Sequence, residues 1–146
     1  MSEIRFAVEP WAPTGILLTP FVDGRSFVEL VTEYEERHGW EDAGIHEGLV
    51  LGREQFQDLP QYLLHGQSLE LFGDHGTVVL GCTCGNIDDG PFFAQVLATE
   101  SRVTWLGFEN PMAEGLDWHY SGLGPFVFDR GQYERAITDA MAEALG

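Results

Sequence analysis

Residues 92 to 108 read FFAQVLATESRVTWLGF. Two extended runs rich in aromatic and β-branched residues flank Glu100 and Ser101, and so short a link makes them a tight hairpin. A hairpin link joins antiparallel strands, whereas parallel strands need a long crossover. The runs on either side fit the same sheet. TVVLGC at 77 to 82 is short and β-branched, and PFVF at 125 to 128 is a further extended piece. Near the start of the chain Ile4, Phe6 and Val8 alternate with Arg5, Ala7 and Glu9, the period of a half-buried strand. ILLT at 16 to 19 resumes that pattern, so the two pair across Pro10 to Gly15.

Two segments change period. Ser26 and Glu29 have the spacing of a capping box. Behind them Phe27, Leu30, Val31 and Tyr34 lie three, four and seven residues apart, which predicts an amphipathic helix ending at His38 and Gly39. Glu29, Glu33, Glu35 and Glu36 are expected off the apolar stripe, as a solvated face. Asp129 and Gln132 repeat the capping pattern, and Tyr133, Ala136, Ile137, Ala140, Met141, Ala144 and Leu145 carry a second helical stripe to the end of the chain. Residues 40 to 76 predict a long connection holding one or two helical turns. Residues 109 to 125 are too rich in Gly and Pro for regular structure, and form an aromatic-bearing loop. The expected architecture is therefore α+β: a single domain over 1–146, with a largely antiparallel sheet and helices packed on one face, the C-terminal helix among them.

Charge sets limits on function. The chain has 24 acidic residues against 7 arginines and no lysine, a formal net charge of −17. Nucleic-acid binding relies on clustered cations, and these arginines are scattered among acids, so no nucleic-acid ligand is expected; the negative surface can attract a basic protein partner or serve only as solvating charge. No apolar run approaches the ~20 residues needed to span a bilayer, so no membrane role is expected. MSEIRFAVEP has neither a basic start nor a long apolar stretch, which predicts a cytoplasmic protein with reduced thiols.

Chemistry has two places to reside. In GCTCG, Cys82 and Cys84 are one residue apart. In extended backbone such a pair shares one face, where it can hold a soft metal such as zinc, present a reactive thiol, or pack as buried sulfur. A structural zinc needs four ligands, and His75, Asp88 and Asp89 are the nearest additional candidates, so a zinc set would draw on Cys82, Cys84, Asp89 and His75. A pair lacking a second pair favours buried thiols, and no cofactor is expected. The other place is the aromatic loop, where Asp117, Trp118, His119 and Tyr120, together with Trp105, Phe108 and Phe126, form a candidate binding surface or pin the loop to the sheet.

The GCTCG stretch, Pro91, VTWLGFENP at 103 to 111 and the block DWHYSGLGPFVFDRGQYERAI at 117 to 137 resemble a family of small uncharacterised bacterial proteins, mostly from high-GC organisms. The resemblance covers roughly the C-terminal half. It implies a third cysteine shortly before the proline, where this chain has Asp89, a harder ligand than thiolate. It implies no activity.

Catalytic signatures are missing. Ser121 in YSGLG is no nucleophile elbow, GLG is not a full dinucleotide fingerprint, no Walker loop occurs, and His46-Glu47 lacks a second histidine. The expectation is a non-catalytic acidic binding or interaction protein, of immunity or inhibitor type, acting through its aromatic loop and negative surface. The alternative is a small zinc- or ligand-binding domain centred on the Cys82/Cys84 corner.

Overall fold

The computed structural model describes residues 1–11, 15–40, 43–44, 46–64, 76–82, 91–110 and 119–146, with Cys82 described in its backbone only. The elements follow in the order β1 (Ile4–Trp11), β2 (Gly15–Val22), β3 (Arg25–Ser26), α1 (Phe27–Arg37), β4 (His46–Glu47), β5 (Leu49–Leu51), α2 (Arg53–Gln57), α3 (Leu59–Leu64), β6 (Thr77–Cys82), β7 (Phe92–Ala98), β8 (Arg102–Glu109), β9 (Phe126–Asp129) and α4 (Arg130–Leu145). The class is α+β, with antiparallel sheets and a C-terminal helix. Among the described residues the strands make two sheets: β2 lies between β1 on one side and both β3 and β5 on the other, and the second runs β4-β6-β7-β8-β9.

The two sheets share chain at both seams. At one, β4 pairs with β6 while β5, one residue later, pairs with β2. The residue between is Gly48, and a Cβ there would stand 2.5 Å from Thr19 Oγ1 and 2.9 Å from the Leu18 carbonyl oxygen. No larger side chain fits where the chain crosses from sheet to sheet. At the other seam Ser2 bridges in parallel to Phe128, its N–H donating to the Val127 carbonyl at 2.7 Å.

Both predicted hairpins form. β1 and β2 pair from Ile4↔Val22 to Trp11↔Gly15, and β7 and β8 pair from Ala98↔Val103 toward the far end. That second ladder shifts between Phe93↔Glu109 and Gln95↔Leu106, where β8 carries one extra residue. Gly107, at φ 60°, sits in this bulge, a conformation that costs glycine little. The shift keeps Phe108 facing inward beyond the point where strict alternation would turn it out.

The core is aromatic. Trp105, on β8, is fully buried and touches Phe27 of α1 (ring centroids 5.5 Å apart), Tyr133 of α4 (6.4 Å) and Phe6 of β1 (6.4 Å). One side chain therefore meets both long helices on the same face of the larger sheet. Its indole N–H donates to Tyr133 Oη at 3.0 Å, and that hydroxyl donates to the Leu63 carbonyl at 2.6 Å, so the polar atoms of both rings are satisfied without water.

The caps differ from expectation. Ser26 occupies the N-cap of α1 but makes no side-chain capping bond. It belongs to β3, and Arg25 beside it draws Glu29 and Glu33 into ion pairs, which leaves Glu29 engaged elsewhere. At α4 half of the predicted box forms: Asp129 Oδ2 accepts from the Gln132 N–H at 2.9 Å. The Gln132 carboxamide instead leaves its helix. It accepts from the Ile4 N–H at 2.9 Å and donates to the Ile4 carbonyl. In the stretch expected to be a long connection with one or two helical turns, the described residues hold the helical turns as α2 and α3, and also two short strands, β4 and β5.

Removing the carboxamide with Gln132→Ala leaves both backbone groups of Ile4 without these partners. We expect a loss of about 1–3 kcal/mol, read in urea as a lower midpoint with an unchanged slope.

Candidate functional site

Helix α1 positions the most unusual polar group of the molecule. Glu35 is 0% exposed, although it was expected on a solvated face with Glu33 and Glu36. The correction is geometric. Counted from Phe27, the positions Val31, Tyr34 and Glu35 fall at four, seven and eight residues, the repeat of the buried stripe itself. Glu33 and Glu36 lie off that stripe and are exposed.

An isolated carboxylate placed there would cost several kcal/mol in lost hydration. Groups from other parts of the chain offset this. Tyr120 Oη donates to Glu35 Oε2 at 2.6 Å, and the Gly44 N–H donates to Oε1 at 3.1 Å. His46 Nε2 on β4 stands 3.9 Å from Oε2, and that imidazole is as deeply buried as the carboxylate. Asn110 Nδ2, at the end of β8, donates to Tyr120 Oη at 3.4 Å. Tyr34, one residue before Glu35, adds a parallel tie: its hydroxyl donates to the His119 carbonyl at 2.7 Å and accepts from the Gly122 N–H at 3.1 Å. The 119–122 segment is thus fastened to α1 by two tyrosine hydroxyls running in opposite directions.

Rings close over this polar centre. Tyr34 and Tyr120 stack at 5.7 Å, Trp40 stands edge-on to both at 5.8 and 5.3 Å, and His38 lies on Tyr34 at 4.3 Å and 4.9 Å from Trp40. Phe92 covers the other side, 5.0 Å from His46 and 4.9 Å from Tyr120. Burial, and then the carboxylate that accepts its proton, push the Tyr120 phenol well above the ordinary tyrosine range. Burial does the same for Tyr62 and Tyr133. A carboxylate, an imidazole, a phenol and an amide are the parts of an acid–base centre. Here the carboxylate and the imidazole are enclosed, and the hydrogen bonds they border run inside the protein.

The residues singled out in the sequence are distributed differently. Trp105 belongs to the core: it joins Phe108 and Phe126 around Phe27 and presents nothing to a ligand. Tyr120 is buried and His119 is exposed, so of these two the hydroxyl anchors the loop while the imidazole faces outward. Asp117 and Trp118 lie outside the described residues, as do Cys84, Asp88, Asp89 and His75. Cys82 closes β6, where its backbone pairs opposite His46. Among the described residues no three His, Cys, Asp or Glu side chains stand together as a metal-binding group. Glu35, His46, Tyr34 and Asn110 were not singled out. The eight-residue step from Phe27 was the available signal for Glu35; the others lack one, since their meeting depends on tertiary contacts.

No family model matches the chain, and neither a curated protein nor a solved structure matches it.

Three of the 4 tyrosines should stay protonated past the ordinary titration of a phenol, at about pH 10. Because their folded pKa values are raised, their contribution to stability is fully present below about pH 10 and is lost as pH climbs from there toward the folded values. Tyrosinate absorbance should show these three titrating only together with loss of the near-ultraviolet dichroism of the folded state.

Proposed function

We propose that this protein is a non-catalytic acidic binding protein whose partner is a basic protein. One observation carries the reading. In the described part of the chain every carboxylate is at the surface except Glu35, which is buried, and Glu47, which is half-buried. The seven arginines do not offset them. Arg25 is engaged by Glu29 and Glu33, Arg130 by Glu134, and Arg5 lies over the Phe21 ring. A surface with this excess repels polyanions and raises the rate of encounter with cations. No helix of the described residues is long and apolar enough to cross a membrane. A cytoplasmic setting and an inhibitor- or immunity-like role remain parts of the same proposal.

One observation favours a second reading, a small metal-binding domain at the Cys82/Cys84 corner. The β4–β6 register sets His46, an imidazole not considered for that corner, across from Cys82. Elemental analysis with thiol titration under native conditions separates the two. One equivalent of zinc with both thiols protected would establish the metal domain and overturn the first reading.

The first reading predicts association with basic proteins that is strong at about 20 mM salt and at least tenfold weaker at about 300 mM, where the Debye length falls below roughly 6 Å. Biolayer interferometry against lysozyme and cytochrome c, with an acidic protein as control, measures it. Failure to bind either basic protein at low salt sinks the proposal.

A further inference from the structure

The geometry points to a docking place for that partner: we propose that Trp40 and His38, at the C-terminal end of α1, receive an arginine side chain from an extended basic segment. The inference rests on the binding role proposed above and adds where and by what chemistry the partner is held.

The aromatic group over Glu35 has an inner and an outer part. Tyr34 and Tyr120 are buried, whereas Trp40 is half-buried and His38 is exposed. The outer rings lie 4.9 Å apart, tilted by 35°, on top of the stacked tyrosines. The backbone N–H of Trp40 donates to the Glu35 carbonyl at 3.2 Å, and His38 Nδ1 lies 2.8 Å from the Tyr34 carbonyl. A carbonyl oxygen only accepts, so in the neutral ring Nδ1 carries the hydrogen and Nε2 is left as the acceptor of an exposed imidazole. A planar guanidinium can stack on such a ring pair and donate to that nitrogen. An ammonium has no plane to stack.

Charge favours the same occupant. Glu36 is exposed in the last turn of α1, and Glu35 lies beneath the rings. The nearby cation, Arg37, hydrogen bonds back along the helix to the Glu33 carbonyl at 3.4 Å. The C-terminal end of a helix also carries partial negative charge. Aromatic faces for a guanidinium therefore coincide with local negative potential, and an arginine-bearing segment satisfies both.

The test is titration of the full chain with hexaarginine, hexalysine and hexaglutamate at low salt. It is followed by fluorescence anisotropy of the labelled peptide and by the ¹⁵N–¹H signal of the Trp40 indole. Hexaarginine should bind at least about fivefold more tightly than hexalysine and should shift the Trp40 indole signal. Trp40→Ala and the exposed His38→Ala should each weaken hexaarginine by a similar factor, with far-ultraviolet dichroism confirming that the variants fold. Equal affinity for the two cationic peptides, or an unmoved Trp40 signal in the saturated wild-type protein, would place binding elsewhere on the acidic surface. That result overturns the docking place and leaves the binding role standing. Absence of any hexaarginine binding at low salt overturns both.

Discussion

Trp105 fixes the arrangement of everything around it. The ring is fully buried on β8 and is touched by β1, α1 and α4, and its N–H must be handed to an acceptor because no water reaches it. Tyr133 takes that bond and passes its own proton to Leu63 at the end of α3. A single aromatic side chain thereby sets the distance of both long helices from the larger sheet and the depth to which α3 is drawn in. Phe27, Phe92, Phe108 and Phe126 fill the remainder of the same layer. The aromatic residues that make a binding surface look plausible in the sequence are largely spent on this interior.

The second constraint is electrostatic. A chain with a net charge of −17 gains solubility from its carboxylates, yet it buries one of them completely. Glu35 is held by donors from the loop after α1 and from the segment before β9, with an imidazole from β4 beside it. Segments far apart in sequence are made to agree on one position for α1. Enclosed polar groups of this kind define a unique arrangement to the extent that they are satisfied: Glu35 takes the short Tyr120 bond and the Gly44 N–H, while His46 Nε2, at 3.9 Å, stands beyond hydrogen-bond distance of the carboxylate.

How much of this was legible depended on whether a signal was local. The β1–β2 and β7–β8 hairpins, the start of β6, and the spans of α1 and α4 follow from periods of two and 3.6 residues and from links too short for anything but antiparallel pairing. Asp23-Gly24, the two-residue turn that joins β2 to β3 with both residues at positive φ, is an equally local signal. The Ser26–Glu29 box misled because a capping motif states what side chains can do, and Arg25 competed for the glutamate. The helical turns expected between 40 and 76 are α2 and α3, whereas β4 and β5 escaped because strands of two and three residues carry no period. The candidate site was the least readable part: Trp105 has the same composition signal in a core as on a surface, and His46, Asn110 and Tyr120 meet Glu35 only through the fold.

Gln132 shows what one side chain does for the solution behaviour of a β protein. The outward peptide groups of an edge strand are a template on which another molecule can add a strand. The Gln132 amide carries one donor and one acceptor in the geometry of a peptide unit, and it occupies the outward N–H and C=O of Ile4. Further along, Pro10 offers no N–H. Helix α4 thus lends the first strand a false neighbour at Ile4, and at that residue the sheet's edge offers no free peptide group on which another strand can add.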